Sequence, residues 1–374
     1  MSDITIKEVK TRRDLKEFIY LPEEVHKNNK KWLPPIYQDE WDLYNPEKNK
    51  SFNHCDTVMY LAYRNGKPAG RVMGIIHRLY NQIHDEKHGR FAFMECYEDQ
   101  EVVHALLQKI EQWAKEKGMT KVVGPLGFSD KDPQGFQIEG FEYPPFLAAA
   151  TNAPYLPLMV EKEGYIKKVD LVNYLTPVPD KLPEIYQRVL ERFNLLETFE
   201  VVEFNSKRDL KPYIIPALEL MNQTYSEIYG YVPLDDHEKK DLANKYLPIL
   251  DPRFIIMIKA GEEVIAFAIA VPDMSDGIRK AKGKLFPFGF IYILRELKQS
   301  KSLLTLLGGI KKEYRDQGLD VILALKLYEA AIKYGMEYCN SHLILETNTK
   351  MRAEFERVGG RISKKFRIYQ KDLV

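Results

Sequence analysis

The chain of 374 residues exceeds the size at which a single core goes on growing, so two domains are expected. It is 45% hydrophobic and 29% charged with a formal net charge of +1, which excludes a disordered or low-complexity chain and leaves no global electrostatic case for nucleic acid. The first residues lack a basic segment leading into an apolar run, and no stretch approaches the roughly 18 apolar residues of a membrane span, so no signal peptide or transmembrane segment is expected.

In chain order, residues 4–9 alternate as a strand and lead into a helix from Asp14. Residues 56–76 read as a hairpin turning at Asn65-Gly66, and Arg90 to Tyr97 as a further strand. Val102, Val103, Leu106, Leu107, Ile110 and Trp113 carry the spacing of an amphipathic helix that Gly118 ends. After a strand at Lys121 comes a long Gly- and Pro-rich segment, 124–145. Prolines near Thr176 mark a join, and residues 180–193 read as a connecting helix. The plan then repeats: a strand at 198–204, helical turns through Leu218, a hairpin turning at Gly261, and a strand from Leu303. A helix from Leu319 to Tyr334, a strand at Leu343, a helix to Gly359 and a last strand at Lys365 follow.

The strand from Leu303 enters a turn at Arg315-Asp316-Gln317-Gly318, and a helix rich in Leu and Ala leaves it. A helix that starts so turns unbonded N–H groups and its positive dipole end toward the turn, which suits a phosphate. The N–H groups from Tyr314 through Asp316, Gln317, Gly318 and Leu319 are the expected ligands, with Arg315, Lys311 or Lys312 supplying charge. Asp320 opposes this reading, since a carboxylate there would stand near a diphosphate; the alternative is a plain strand-to-helix turn whose first-turn Asp favours the helix dipole.

This order and turn resemble the acyl-CoA N-acyltransferase (GNAT) superfamily, here in tandem. The family's Arg/Gln-x-x-Gly-x-Gly/Ala turn matches Arg315 to Asp320 except at its last position. Its later strand, Asn and helix match Glu346, Asn348, Phe355 and Gly359, and the first half has a comparable element from Asn152 to Tyr165. At the first-half turn, Cys96-Tyr-Glu-Asp-Gln-Glu is acidic and lacks glycine. The chain also resembles a less characterised two-copy group through Gly124-Pro-Leu-Gly-Phe-Ser-Asp-Lys-Asp-Pro-Gln-Gly-Phe, followed by Asn152, Tyr155 and Asp170.

The resemblance implies an α+β fold of two tandem GNAT-like domains, each a mixed, mostly antiparallel sheet flanked by helices. Residues 1–178 would form a copy without a phosphate turn, 179–196 a connecting helix, and 197–374 a copy that binds acyl-CoA as cosubstrate. Transfer to an unidentified amine, small or lipid-like, needs a base; Glu346 is the candidate, provided an apolar wall raises its pKa. Phe355 stands where the family often has a tyrosine acid. The 124–145 segment reads either as a seal between the halves or as a cover that presents Ser129, Asp132 and Glu139 to the amine. Asn152, Tyr155 and Asn348 are further substrate candidates, with helix capping the rival role for Asn152. A decayed acyltransferase serving as a scaffold, and an aminoacyl-tRNA-dependent transferase, are the alternatives.

The scattered Cys55, Cys96 and Cys339 read as reduced thiols of a cytoplasmic protein, and His84 and His88 lack a third partner, so no metal is expected. The run Leu285-Phe-Pro-Phe-Gly-Phe-Ile-Tyr-Ile-Leu294 follows a basic cluster at Arg279 to Lys284. It suits an apolar channel, a lipid surface or, most simply, an interface between the halves.

Overall fold

The computed structural model describes residues 3–373 except 148, 150, 182–183, 185–187, 189–198, 227 and 229. Most of the expected connecting helix, 179–196, lies outside the described residues. The first half runs β1 (Ile4–Glu8), α1 (Arg12–Val25), α2 (Tyr37–Leu43), β2 (Cys55–Arg64), β3 (Lys67–His77), α3 (Arg78–Ile83), β4 (His88–Cys96), α4 (Gln100–Glu116), β5 (Lys121–Gly124), β6 (Phe136–Glu139), α5 (Tyr155–Lys162) and β7 (Ile166–Pro177). The second begins with β8 (Glu200–Glu203), α6 (Lys207–Thr224), α7 (Asp236–Tyr246), β9 (Ile255–Ala260), β10 (Glu263–Pro272), α8 (Ser275–Lys280) and α9 (Gly289–Gln299). It continues with β11 (Ser302–Ile310), α10 (Leu319–Lys333), β12 (Tyr338–Asn340), β13 (Ile344–Leu345), α11 (Thr349–Arg357) and β14 (Arg361–Asp372).

Helices cover both faces of each half. The apolar stripe of α4 meets Val72, Phe91 and Val122 in one core. On the opposite face α1, started by a reciprocal Thr11–Asp14 capping box, lays Phe18, Ile19 and Leu21 against Leu61, Met73 and Ile75. In the second half α6 packs Leu210, Ile214 and Met221 on Met257 and Phe267, while α10 packs Leu319, Ile322 and Leu323 on Ile256, Ile258 and Ile265. The strands join in one 14-stranded sheet.

The centre of that sheet is an exchange. β5 is followed not by β7 but by β14, and β12 not by β14 but by β7. β7 and β14 pair antiparallel with each other from Leu175↔Arg361 to Ile166↔Gln370. Each half is therefore completed by the last strand of the other.

Two register features open the sheet. β11 and β12 are parallel only over Ser302–Leu304 and Tyr338–Asn340, although β11 continues to Ile310. β13 then pairs with β7 instead. A register shift opposite Ile269/Ala270 leaves Leu306 without a partner on β10. Such a bulge bends its strand, so β11 and the β12–β13 segment diverge as a wedge.

Candidate active site

The wedge is bounded by β11 on one side and by Ser341, His342 and Leu343 on the other. Gly308 turns both its N–H and its C=O away from β10 into this space. The Tyr225 hydroxyl, just past the end of α6, meets both: it donates to Gly308 O at 2.9 Å and accepts from Gly308 N–H at 3.1 Å. Burial pushes the Tyr225 hydroxyl up to about 12, so it stays protonated and acts as a donor. Burial holds His342 below its ordinary value and hence neutral, and its Nδ1 lies 3.3 Å from Leu343 O. A ring nitrogen approaching a carbonyl carries the proton, which leaves Nε2 as the acceptor.

Into the same region comes a carboxylate from the first half. The charge of Asp130 acts on Tyr225, Tyr231 and His342 alike, in the last case opposing the downward shift. Its neighbour Lys131 lies 3.3 Å from Asp130 and 4.9 Å from the centre of the Tyr231 ring. The segment from Gly124 onward thus reaches across the junction of the halves. Within it Asp132 accepts from Ser129 N–H at 3.1 Å, and burial raises its carboxyl despite that bond. Ser129 Oγ in turn accepts from Lys131 N–H at 3.2 Å.

At the end of β11, Gly318 caps α10 with a left-handed φ of 82°, a conformation that disfavours a β-carbon. Having no side chain, it places nothing over the N–H groups of the first helical turn. Among the described residues, no protein acceptor bonds the N–H groups from Asp316 to Asp320. Tyr314 and Arg315, by contrast, donate to Lys311 O and Lys312 O, so the amide cradle is shorter than expected. The Arg315 side chain is exposed and donates from Nε to Ile310 O at 3.2 Å. Lys311 is held by Glu263 at 2.7 Å and Lys350 by Asp316 at 3.0 Å. The Gln317 side chain bonds back to Glu313 O. Asp320 lies beside α11: Glu354 is raised chiefly by burial, with the Asp320 charge adding to it. Five free amides and a guanidinium that meets no carboxylate among the described residues fit a diphosphate; the unfavourable charges near them are Asp320 and Asp316, the latter paired with Lys350.

The equivalent turn of the first half is filled by the protein itself. Asp99 caps α4, its side chain accepting from Glu101 and Val102 N–H. Arg64 clasps the same carboxylate at 2.5 and 2.8 Å. On the β4 edge, Phe91 O accepts from Leu126 N–H and Cys96 O from the Tyr155 hydroxyl at 2.8 Å. A shallow depression lined by Tyr20, Arg64, Lys67, Tyr97 and Asp99 borders this turn and includes no residue of the second half.

Several residues expected at the site are engaged elsewhere. Glu346 accepts from Asp170 N–H at 3.0 Å and pairs with Lys167 at 2.8 Å. Its partial burial raises it, but the Lys167 bond and the Asp170 amide together bring it below the ordinary value, so the elevation expected of a base is absent. Asn348 caps α11 through Met351 N–H. Asn152 does not cap a helix: it is buried, accepting from Gln137 N–H and donating to Gln137 O, as a strand partner would. Tyr155 is held on Cys96 O, and Glu139 pairs with Lys365 at 2.9 Å in solvent. Phe355 stacks on Tyr174 at 5.6 Å. Tyr225, His342 and Asp130 carry no sequence spacing that would single them out; only the wedge assembles them. Among the described residues, no cluster of three metal-ligating side chains occurs.

No family model matches the chain. The protein named Bacterial ceramide synthase from Caulobacter vibrioides (strain NA1000 / CB15N) is 28% identical over 379 residues, covering 100% of this chain and 98% of that one. Protein YghO of Escherichia coli (strain K12) is 26% identical over 369 residues, covering 97% and 94%. Among solved structures, a tandem GNAT protein from the clavulanic acid biosynthesis pathway superposes with a TM-score of 0.54 at 10% identity, over 100% of this chain and 99% of that one.

Proposed function

The chain has the GNAT fold in tandem, and on that premise we propose that it is an N-acyltransferase moving an acyl group from acyl-CoA to the amine of a long-chain, lipid-like acceptor. The observation that carries the reading is the second-half wedge, with an open amide turn at one end and Gly308, Tyr225, His342 and Asp130 at its throat. The full-length similarity to a protein named for ceramide synthesis supports the acceptor class, because a ceramide is an N-acylated long-chain amino alcohol.

The turn from Asp316 to Asp320, with Arg315, would hold the diphosphate of acyl-CoA, whose thioester supplies the electrophilic carbonyl. Asp130 would hold the acceptor as an ammonium. His342, kept neutral by burial, takes the ammonium proton on Nε2, which frees the lone pair to form the C–N bond. The Gly308 N–H and the Tyr225 hydroxyl, bonded to one another here, would exchange that bond for the carbonyl oxygen as it gains charge in the tetrahedral intermediate. As the C–S bond breaks, the thiolate departs, and the proton still carried by the newly acylated nitrogen passes to that thiolate or to water. With its ordinary thiol pKa of about 8.5 the thiolate needs no proton from Tyr225, which is the weaker acid. Glu346, tied to Lys167 and Asp170 N–H, positions β13 on β7.

Titration with a long-chain acyl-CoA, followed by calorimetry, tests the first half of the proposal. Saturable binding weakened at least tenfold in Arg315→Glu is expected, and a turnover assay with a long-chain 2-amino-1,3-diol tests the second. A protein that binds no acyl-CoA would instead be the decayed scaffold that Asp320 and the filled first-half turn favour.

A further inference from the structure

The segment between β10 and β11 carries the largest run of exposed apolar side chains in the described chain. Phe286 is 79% exposed and Phe288 68%, and Phe290, Ile291, Tyr292 and Leu294 are each exposed by two-fifths or more. Soluble surfaces scatter such residues singly, and a contiguous patch marks a contact. The expectation that this run seals the interface between the halves is met by one side only. Ile293 and Leu297 of α9, with Leu285, pack on Met274, Ile278, Leu33 and Ile36. At 100° per residue, Ile291, Tyr292, Arg295 and Lys298 share the opposite, outward face, with the exposed Leu294 on its flank.

The patch is held in place. A β-carbon on Gly277 would stand 2.7 Å from Tyr292 O, so α8 and α9 meet at backbone distance only because that residue is glycine. Gly283 O accepts from Tyr37 N–H at 3.0 Å, and Phe290 N–H bonds Leu285 O at 2.9 Å. The aromatic side chains therefore project from an anchored loop and helix.

The charge around the patch points to its partner. Residues 276–298 hold Arg279, Lys280, Lys282, Lys284, Arg295 and Lys298 against only Asp276 and Glu296, while 285–294 is free of charge. Lys280 pairs with Glu296, Arg279 with Asp276 and Lys284 with Glu23, leaving Lys282, Arg295 and Lys298 without carboxylate partners among the described residues. An apolar, aromatic surface with a cationic rim is complementary to the acyl boundary and headgroups of an anionic bilayer. No helix among the described residues is long and apolar enough to cross a membrane, so contact would be at the surface. We propose that Phe286, Phe288 and the outward face of α9 dock this protein on an anionic lipid bilayer. The same element packs against Leu33 and Ile36 of the first half, at the junction of the two halves.

Vesicle flotation tests this without reference to turnover. The full chain should float with vesicles of equal parts phosphatidylcholine and phosphatidylglycerol, and less with phosphatidylcholine alone or at high salt. Phe286→Ser with Phe288→Ser and Ile291→Ser should weaken flotation by about tenfold or more, and Lys282→Glu with Lys298→Glu should remove the preference for the anionic lipid. Both variants alter solvent-facing side chains, and their circular dichroism and melting temperature should match the parent. Absence of flotation by the parent, or equal flotation by the serine variant, overturns the proposal. So does a parent dimer that the serine variant converts to monomer without loss of flotation, since the patch would then be covered by a second copy.

Discussion

At Gly318 and Asp99 the two halves meet the same need in opposite ways. Both residues cap the helix that follows the fourth strand of their half, and both face N–H groups with no helical acceptor. Asp99 fills them with its own carboxylate, whereas Gly318 leaves them bare. That contrast was legible in residue type: an acidic turn without glycine against one with glycine. Tyr225 was not legible, because its role depends on Gly308, 83 residues away along the chain. If the hydroxyl stabilises charge on the reacting carbonyl, Tyr225→Phe should lower kcat by about a hundredfold with little change in KM for acyl-CoA. Equal kcat would remove Tyr225 from the chemistry and leave it a packing residue. Glu346 teaches the reverse lesson. Its place after a strand suggested a base, but Lys167 and Asp170, on β7 of the other half, decide its protonation.

At the scale of elements, periodicity identified the hairpins, α4 and α10, because their apolar residues fall on one face and little else competes. It did not identify α9 as a helix, since Phe290 to Leu294 is an unbroken apolar run that shows no period, and Phe, Ile and Tyr favour neither state strongly. Nor did it reveal the exchange of β7 and β14. Both strands are long and alternate well, but alternation names no neighbour. The exchange has a consequence for folding. Residues 1–178 alone would expose the edge of β5 that β14 covers, and 197–374 alone would expose the edge of β12 that β7 covers. Expressed separately, neither half should give a cooperative melt by circular dichroism; expressed together, they should copurify and melt as the parent does. A cooperative, monomeric first half would show that the exchange is dispensable.

Across the whole molecule, the buried polar residues set a pH response. Burial, aided by the Arg90 charge, holds His77 and His88 down at about 3, against an ordinary 6.5. His77 Nδ1 also accepts the Tyr80 N–H that starts α3, a bond the protonated ring could not accept. Below the ordinary value the unfolded chain binds protons that the folded chain refuses. The stability present above it is therefore lost as pH falls toward 3, by about 1.4 kcal/mol per pH unit for each ring. Denaturant melts taken through this window should show the decline, and His88→Gln should make it shallower. An unchanged slope in that variant would assign the acid sensitivity to other groups.

The sequence by itself determined the repeat, the α+β class, the resemblance to tandem acyltransferases and the single open turn, because each is written in local residue types or in periods of a few residues. The tertiary structure decided which strand completes which half, that Glu346 is bound in an ion pair, that Tyr225 sits on Gly308, and that the charge of Asp130 reaches Tyr225 and His342. The physical reason is distance along the chain. Hydrogen bonds act over a few ångströms in space and charges over somewhat more, and only the folded chain brings Tyr225 onto Gly308 and the charge of Asp130 within reach of Tyr225 and His342.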